Sequence, residues 1–266
     1  MTRFYSLAML LLLSAGATAT AQVSGLNRSD FSRHWQVESE SPSATVTFTG
    51  DTCEITAPKG LTLWRKERMR GNMTIEYDAM VVDEGRPGDR LSDLNCFWMA
   101  SDPKAKTVFT RAAERQGVFN NCYALQLYYV GYGGNHNTTT RFRRYDGNTD
   151  AAHRPAILRE YRDKDHLLKP NHWYHVRLRT MNGRVEYFID GRQIVAYDDP
   201  KPLTQGWFGF RTTLSLTRIT NFRYSARPVA PPPRLLCIGW VRYLKRLLRP
   251  ASVCLSTKAC CRPMLR

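Results

Sequence analysis

Much of the usual vocabulary of enzyme active sites is missing from this chain. It contains no G-x-S-x-G elbow, no P-loop, no Rossmann glycine fingerprint and no H-E-x-x-H pair. Serine-esterase, nucleotide-binding and zinc-protease chemistry therefore have no foothold in it. There is no sustained helical period, no heptad pattern and no internal repeat, which sets aside helical bundles, coiled coils and repeat arrays. Cysteine is sparse in the central part, where only Cys53, Cys96 and Cys122 occur. Three thiols cannot make a complete disulfide set, and each sits among apolar or β-forming residues. Buried free thiols are expected, with one disulfide after export left open. Cys237, Cys254, Cys260 and Cys261 follow without paired C-x-x-C knuckles, which argues against a zinc site.

The two ends differ from the rest. Residues 1–21 carry an early arginine, an apolar run from Leu7 to Leu13 and a small-residue exit at Ala19-Thr20-Ala21. That is the pattern of a secretory signal peptide, and the apolar run is too short to span a membrane. An exported protein, periplasmic or secreted, is expected. Residues 228–233 (PVAPPP) read as a stiff proline-rich linker. Beyond them, residues 234–266 contain no Asp or Glu and read as a basic, disordered tail; a stretch lying on an anionic membrane surface is the alternative. The formal net charge is +16, but residues 22–227 carry only +7 of it. The basicity is partly a property of the tail, so no nucleic-acid partner is assigned to the folded body.

Residues 22–227 are long enough for one sizeable core, and they are rich in short alternating segments. Strands are expected over Ala44–Phe48, Cys53–Ala57, Leu61–Arg65, Met73–Val82, Leu94–Met99, Arg184–Ile189, Gln193–Tyr197, Trp207–Arg211 and Ile219–Tyr224. His172–Arg179 sets His175, Arg177 and Arg179 opposite Tyr174, Val176 and Leu178. Asp190-Gly191 marks a hairpin. Ser101–Gly117 reads as a polar loop or short helix, and Ala151–Asn171 as a long connection. The fold class that follows is all-β, a two-sheet antiparallel jelly-roll sandwich, expected as a monomer.

The unusual chemistry is concentrated in Cys122–Asn148. Four tyrosines (Tyr123, Tyr128, Tyr129, Tyr132) lead into Gly133-Gly134-Asn135-His136-Asn137 and then a threonine and arginine run. Alternation puts Thr139, Arg141, Arg143 and Tyr145 on one face, and unpaired guanidinium is almost never buried. That face should meet water or a ligand. Tyr129 shares a face with Leu125 and Leu127 and is expected in the core, leaving Tyr128 and Tyr132 as the groove candidates.

Asn171–Thr212 resembles the concanavalin A-like, laminin-G-like jelly-roll superfamily. The residues that carry the likeness are Trp173, Val176, Leu178, Val185, Asp190, Gly191, Gly206, Gly209, Phe210 and Arg211, and Met73–Val82 fits an early strand of the same families. The chain looks most like an uncharacterised bacterial periplasmic branch met beside polysaccharide-degrading enzymes. The resemblance implies the fold and a carbohydrate leaning, with structural calcium compatible although no EF-hand-like loop marks a site. Hydrolases, lyases and non-catalytic modules all occur in the superfamily.

A retaining hydrolase needs two carboxylates about 5 Å apart. In the jelly-roll endo-glucanases these stand as E-x-D-x-x-E, and here Glu76 and Asp78 lack the third acid. A polysaccharide lyase needs a cation to neutralise a uronate carboxylate and a Tyr or His to move the proton. The components are at hand: Tyr132, His136 and Arg141 as catalytic candidates, with Arg90, Asn95, Tyr128, Asn135, Asn137, Arg143, His166 and Arg211 as substrate-binding ones. A non-catalytic glycan-binding module would use the same rings and guanidinium groups. The expectation is a polysaccharide, favoured as anionic, with lyase chemistry slightly ahead of binding alone.

Overall fold

The computed structural model of the protein describes residues 21–22, 25–86 and 89–227. The expected leader apart from Ala21, the proline-rich segment and the basic tail lie outside the described residues. In chain order the strands are β1 (Ala21–Gln22), β2 (Trp35–Ser39), β3 (Thr45–Thr49), β4 (Thr52–Ala57), β5 (Leu61–Arg65), β6 (Met69–Arg70), β7 (Asn72–Val82) and β8 (Leu94–Ser101). They continue with β9 (Gln126–Gly133), β10 (Thr139–Asp146), β11 (Ala156–Tyr161), β12 (Tyr174–Met181), β13 (Arg184–Ile189), β14 (Arg192–Asp198), β15 (Gln205–Thr212) and β16 (Ser215–Arg227). Two antiparallel sheets result. The first runs β14-β13-β12-β7-β16-β4-β3 with β1 beside β16, and the second runs β11-β10-β9-β8-β15-β5-β2 with β6 beside β15. They form the expected all-β jelly-roll sandwich.

Alternation decides which side chains enter the space between the sheets. On β12 Tyr174, Val176 and Leu178 are buried while His175, Arg177 and Arg179 face outward. On β7 Ile75, Tyr77 and Ala79 point in, and Glu76 and Asp78 point out. The core gathers aromatic rings from both sheets: Tyr77 meets Phe210 at 4.8 Å, Phe208 meets Phe210 at 4.8 Å, and Trp35 meets Phe222 at 5.0 Å. Each such side chain contributes about 1.5–3 kcal/mol by its burial. Asp190 and Gly191 join β13 to β14 with φ of 50° and 79°, the paired positive values that a tight hairpin turn requires.

The second sheet is apolar on its outer face as well. Trp64, Phe97, Leu127, Tyr129, Tyr145 and Trp207 form a separate cluster there with Val108, Cys122 and Leu125. The segment between β8 and β9 covers it, holding a short helix α1 (Ala112–Arg115) and a 3₁₀ turn over Phe119–Ala124. This is why β8 and β9 are buried along almost their whole length. Arg115 fastens the layer: its Nε and Nη2 reach the two carboxylate oxygens of Glu38 at 3.1 and 2.6 Å, with both side chains buried. Trp64 Nε1 donates to the same carboxylate at 3.1 Å.

Two expectations are corrected here. The connection Ala151–Asn171 contains β11, an edge strand with three exposed and three half-buried residues, which leaves little apolar alternation to read. Thr139 and Tyr145, expected with Arg141 and Arg143 on a face meeting water or a ligand, are buried, Tyr145 within the cluster under the covering layer. The polar stretch after β8 holds the short helix that was one of its two readings. Cys53, Cys96 and Cys122 are buried and unpaired; desolvation pushes the first two thiols up to about 12 and the third to about 11.

Candidate functional site

Register on the second sheet builds the site. Antiparallel pairing sets Arg211 of β15 opposite Asn95 of β8, Asn95 opposite Gly131 of β9, and Gly131 opposite Arg141 of β10. These four form one transverse row, with a gap in the middle because Gly131 has no side chain. A Cβ at Gly131 would collide with the Tyr129 hydroxyl, so glycine is what lets the Tyr129 ring lean back over the row. In the next row Phe97 stands opposite Tyr129, and Tyr129 opposite Arg143. A cleft of about 470 Å³ opens over these rows. Its wall on the covering layer is made by Val118, Phe119, Asn120 and Tyr123. The opposite rim carries Arg90, Asp93, Asn135 and His136.

That rim is strained. Gly133 has φ of 65°, and Asn135, His136 and Asn137 follow at 54°, 57° and 54°. The turn is thus left-handed over its asparagine and histidine residues, a conformation that costs roughly 1–2 kcal/mol for each non-glycine residue. Asparagine tolerates it because its short amide can bond locally. Asn137 is clamped to Leu168, donating from Nδ2 to the carbonyl at 2.9 Å and accepting from the N–H at 2.8 Å. Asn135 Nδ2 donates to Thr138 Oγ1 at 3.0 Å. His136 is carried between these two anchors, and Arg90 Nη1 lies 3.3 Å from both of its ring nitrogens.

Most charges of the cleft are held by protein partners. Asp93 accepts from Arg90 at 3.0 Å, from Ser92 at 2.6 Å and from Asn95 at 3.0 Å. Arg141 meets Glu160 at 2.5 Å, and Arg211 donates to the Gly117 carbonyl at 2.5 Å and lies over the Phe119 ring. Arg143 is different. No carboxylate reaches it among the described residues; it makes a 3.4 Å bond from Nη1 to the Pro155 carbonyl, and its Nε has no partner. Arg90 Nε and Asn95 Oδ1 are also buried without partners. Burial, with the nearby Asp93 carboxylate, raises the Tyr129 hydroxyl above the usual phenol range, outweighing the opposing pull of Arg143 and Arg211. At neutral pH it is a hydrogen-bond donor.

The structure gathers Arg90, Asn95, Asn135, His136, Arg141, Arg143 and Arg211 at this cleft. Four other candidates are placed elsewhere. Tyr128 is fully buried between the sheets, donating to Asp199 at 2.6 Å and accepting from the Leu203 N–H at 3.0 Å. Tyr132 also points inward, 5.6 Å from the Tyr174 ring, and borders a separate pocket with Lys164 and Arg192. His166 stacks on Tyr161 at 4.0 Å and pairs with Asp163. Asn137 is occupied by its clamp. The expected faces of β9 are therefore reversed. Both faces of that strand are apolar, and the Leu125/Leu127 side lies under the covering layer rather than between the sheets. Asp93, Glu40, Phe119 and Tyr129 were not anticipated at the site; the alternation that placed Arg143 outward, combined with the pairing of β9 and β10, is the signal that could have placed Tyr129 there. Glu76 and Asp78 lie on the outer face of the first sheet, paired with Arg223 at 3.0 Å and His175 at 2.7 Å. No group of His, Cys, Asp and Glu among the described residues could hold a metal ion.

Two antiparallel sheets with a trough across one outer face make a jelly-roll sandwich. Residues 55–222 match the family described as a domain of unknown function, DUF6250, and the chain belongs to that family. No curated protein matches its sequence. Among solved structures it is similar to a Bacillus subtilis protein of unknown function with a galectin-like fold, at 16% identity and a TM-score of 0.59, covering 73% of this chain and 91% of that one. It is also similar to the Ca²⁺/Man3GlcNAc-bound exoplasmic domain of VIP36, at 13% identity and a TM-score of 0.50, covering 79% and 91%. The metal-free carbohydrate recognition domain of Emp46p gives 14% identity and a TM-score of 0.50, covering 79% and 94%.

Proposed function

We propose that the protein binds an acidic polysaccharide in the trough of the second sheet. The observation that carries this reading is Arg143, a half-buried guanidinium that lines the cleft with no carboxylate partner among the described residues and its Nε unbonded. A guanidinium fork pairs with a carboxylate in bidentate fashion, and the rings of Tyr129, Tyr123 and Phe119 offer apolar faces to sugar rings. Sharing a sandwich with carbohydrate recognition domains makes a sugar the first ligand to test. The leader-like residues 1–21 support a protein that meets its ligand outside the cytoplasm.

Binding without chemistry is the better-supported form. Burial pushes the Tyr129 hydroxyl further above the usual phenol range, which makes it a poorer base than an ordinary tyrosine, and Tyr132 lies away from the trough. A lyase is the second reading, favoured by one observation: His136 is held in left-handed backbone at the rim, against Arg90, and strained residues cluster at reactive sites. Polygalacturonate, alginate and heparin, with cellulose and a neutral glucan as controls, separate the readings. Retention of an acidic glycan that weakens with salt, and no ultraviolet absorbance from a new double bond, is the expected result. Absorbance that disappears in His136→Ala identifies a lyase instead. Equal retention of the neutral glucan contradicts the reading.

A further inference from the structure

We propose that the trough continues past Tyr123 into a second pocket, so that the protein holds several consecutive units of an acidic polysaccharide rather than one terminal sugar. This rests on the acidic-glycan reading of the first cleft. A neighbouring cavity of about 450 Å³ lies between the covering layer and the loop that follows β10. Tyr123 and Asn120 line both cavities, so a single tyrosine ring forms the ridge between them. Each cavity alone falls in the range of about 300–1,000 Å³ that takes a drug-sized ligand, and one sugar ring fills neither.

The charge pattern repeats across the ridge. In the second pocket Arg111 is held by Glu114 at 2.6 Å, and Arg115 by the buried Glu38. Arg154 is not: its Nη1 donates only to the Ala151 and His153 carbonyls, at 2.8 and 2.9 Å, and its guanidinium lies 5.4 Å from the centre of the Tyr123 ring. Arg143 in turn reaches the carbonyl of Pro155, the residue after Arg154. Two guanidinium groups without carboxylate partners thus stand on either side of one aromatic ridge. A chain whose acidic group recurs from unit to unit matches that repetition, whereas a single charged sugar uses only half of it. Engaging the second pocket after the first is an intramolecular event, so affinity should grow with chain length.

The test measures the affinity of fluorescently labelled oligogalacturonates and heparin oligosaccharides, each as the disaccharide, tetrasaccharide and octasaccharide. The octasaccharide of at least one series should bind roughly tenfold or more tighter than its disaccharide. Arg154→Ala should remove that gain while leaving the disaccharide affinity within about twofold, because the two sites are separate. Tyr123→Ala should weaken every length, because its ring lines both cavities, so the exposed Arg154 is the variant that separates the second pocket from the first. Equal affinity at every length, with acidic chains still preferred, overturns the continuous groove and leaves the first cleft intact. Binding of neither series at any length overturns both.

Discussion

The two outer faces of the sandwich are both rich in arginine, and they differ in what surrounds the guanidinium groups left unmatched. On the first sheet four guanidinium groups are matched: Arg218 with Glu54 at 2.8 Å, Arg223 with Glu76 at 3.0 Å, Arg184 with Asp198 at 2.8 Å and Arg179 with Glu186 at 3.5 Å. Arg192 and Arg227 at strand ends have no carboxylate among the described residues, and Arg177, its Nε buried without a partner, is stacked 4.3 Å from the Phe188 ring. On the second sheet a structured layer closes over part of the face, and in the cleft beside it Arg143 has no carboxylate in reach among the described residues. Neighbours on one strand repeat the contrast. Arg144, pointing to the inner side of β10, meets Asp199 at 2.7 Å, while Arg143 on the outer side lacks such a partner. Charge abundance is therefore a poor guide to a binding face. Arg143 differs from Arg177 in its setting: it lines a cleft walled by Phe119, Tyr123 and Tyr129, whereas Arg177 is covered by the Phe188 ring of its own sheet.

The largest effect should come from releasing the layer that makes the second face different. Glu38→Ala strands the buried Arg115 and should lower stability by about 3–5 kcal/mol, measured by urea denaturation. A loss below about 1 kcal/mol would mean that the ion pair does not fasten the layer. Next is Tyr128→Phe, which removes the hydroxyl shared by Asp199 and Leu203 and should cost about 1–3 kcal/mol. Burial alone would raise the Asp199 carboxyl, but bonds from Tyr128, Arg144 and the Lys201 N–H outweigh it and hold the group below the usual carboxylate range. Its contribution is therefore full above the unfolded value of about 3.9 and is lost as pH falls through the lower folded value. The gap between wild type and Tyr128→Phe should narrow on acidification over that window; a gap that widens would contradict the assignment. At the small end, Arg223→Ala on the paired face should change stability by at most about 1 kcal/mol and leave glycan binding alone.

Much of the sandwich was legible because alternation is a local property. On β12 one face is polar, so the pattern itself says which way each residue points, and Tyr174, Val176 and Leu178 are buried opposite His175, Arg177 and Arg179. On β9 both faces are apolar, and nothing local distinguishes the inter-sheet side from the side under the covering layer. Tyr128 and Tyr129 exchanged places for that reason. The layer itself was hidden because its anchor, Arg115 with Glu38, joins residues 77 positions apart. Arg141, Arg143 and His136 were found because guanidinium groups on a strand and a glycine-rich turn are conspicuous in sequence. Asp93 was missed because its importance comes from three side chains converging on it in space.

The most direct test is calorimetric titration of an acidic oligosaccharide into the wild type, Arg143→Ala and Arg223→Ala at low and moderate salt. The account predicts that Arg143→Ala binds about tenfold or more weakly, roughly 1.4 kcal/mol, while Arg223→Ala matches the wild type. Equal weakening by the two substitutions, or none by either, would contradict the claim that the unsatisfied guanidinium on the second sheet is what receives the ligand.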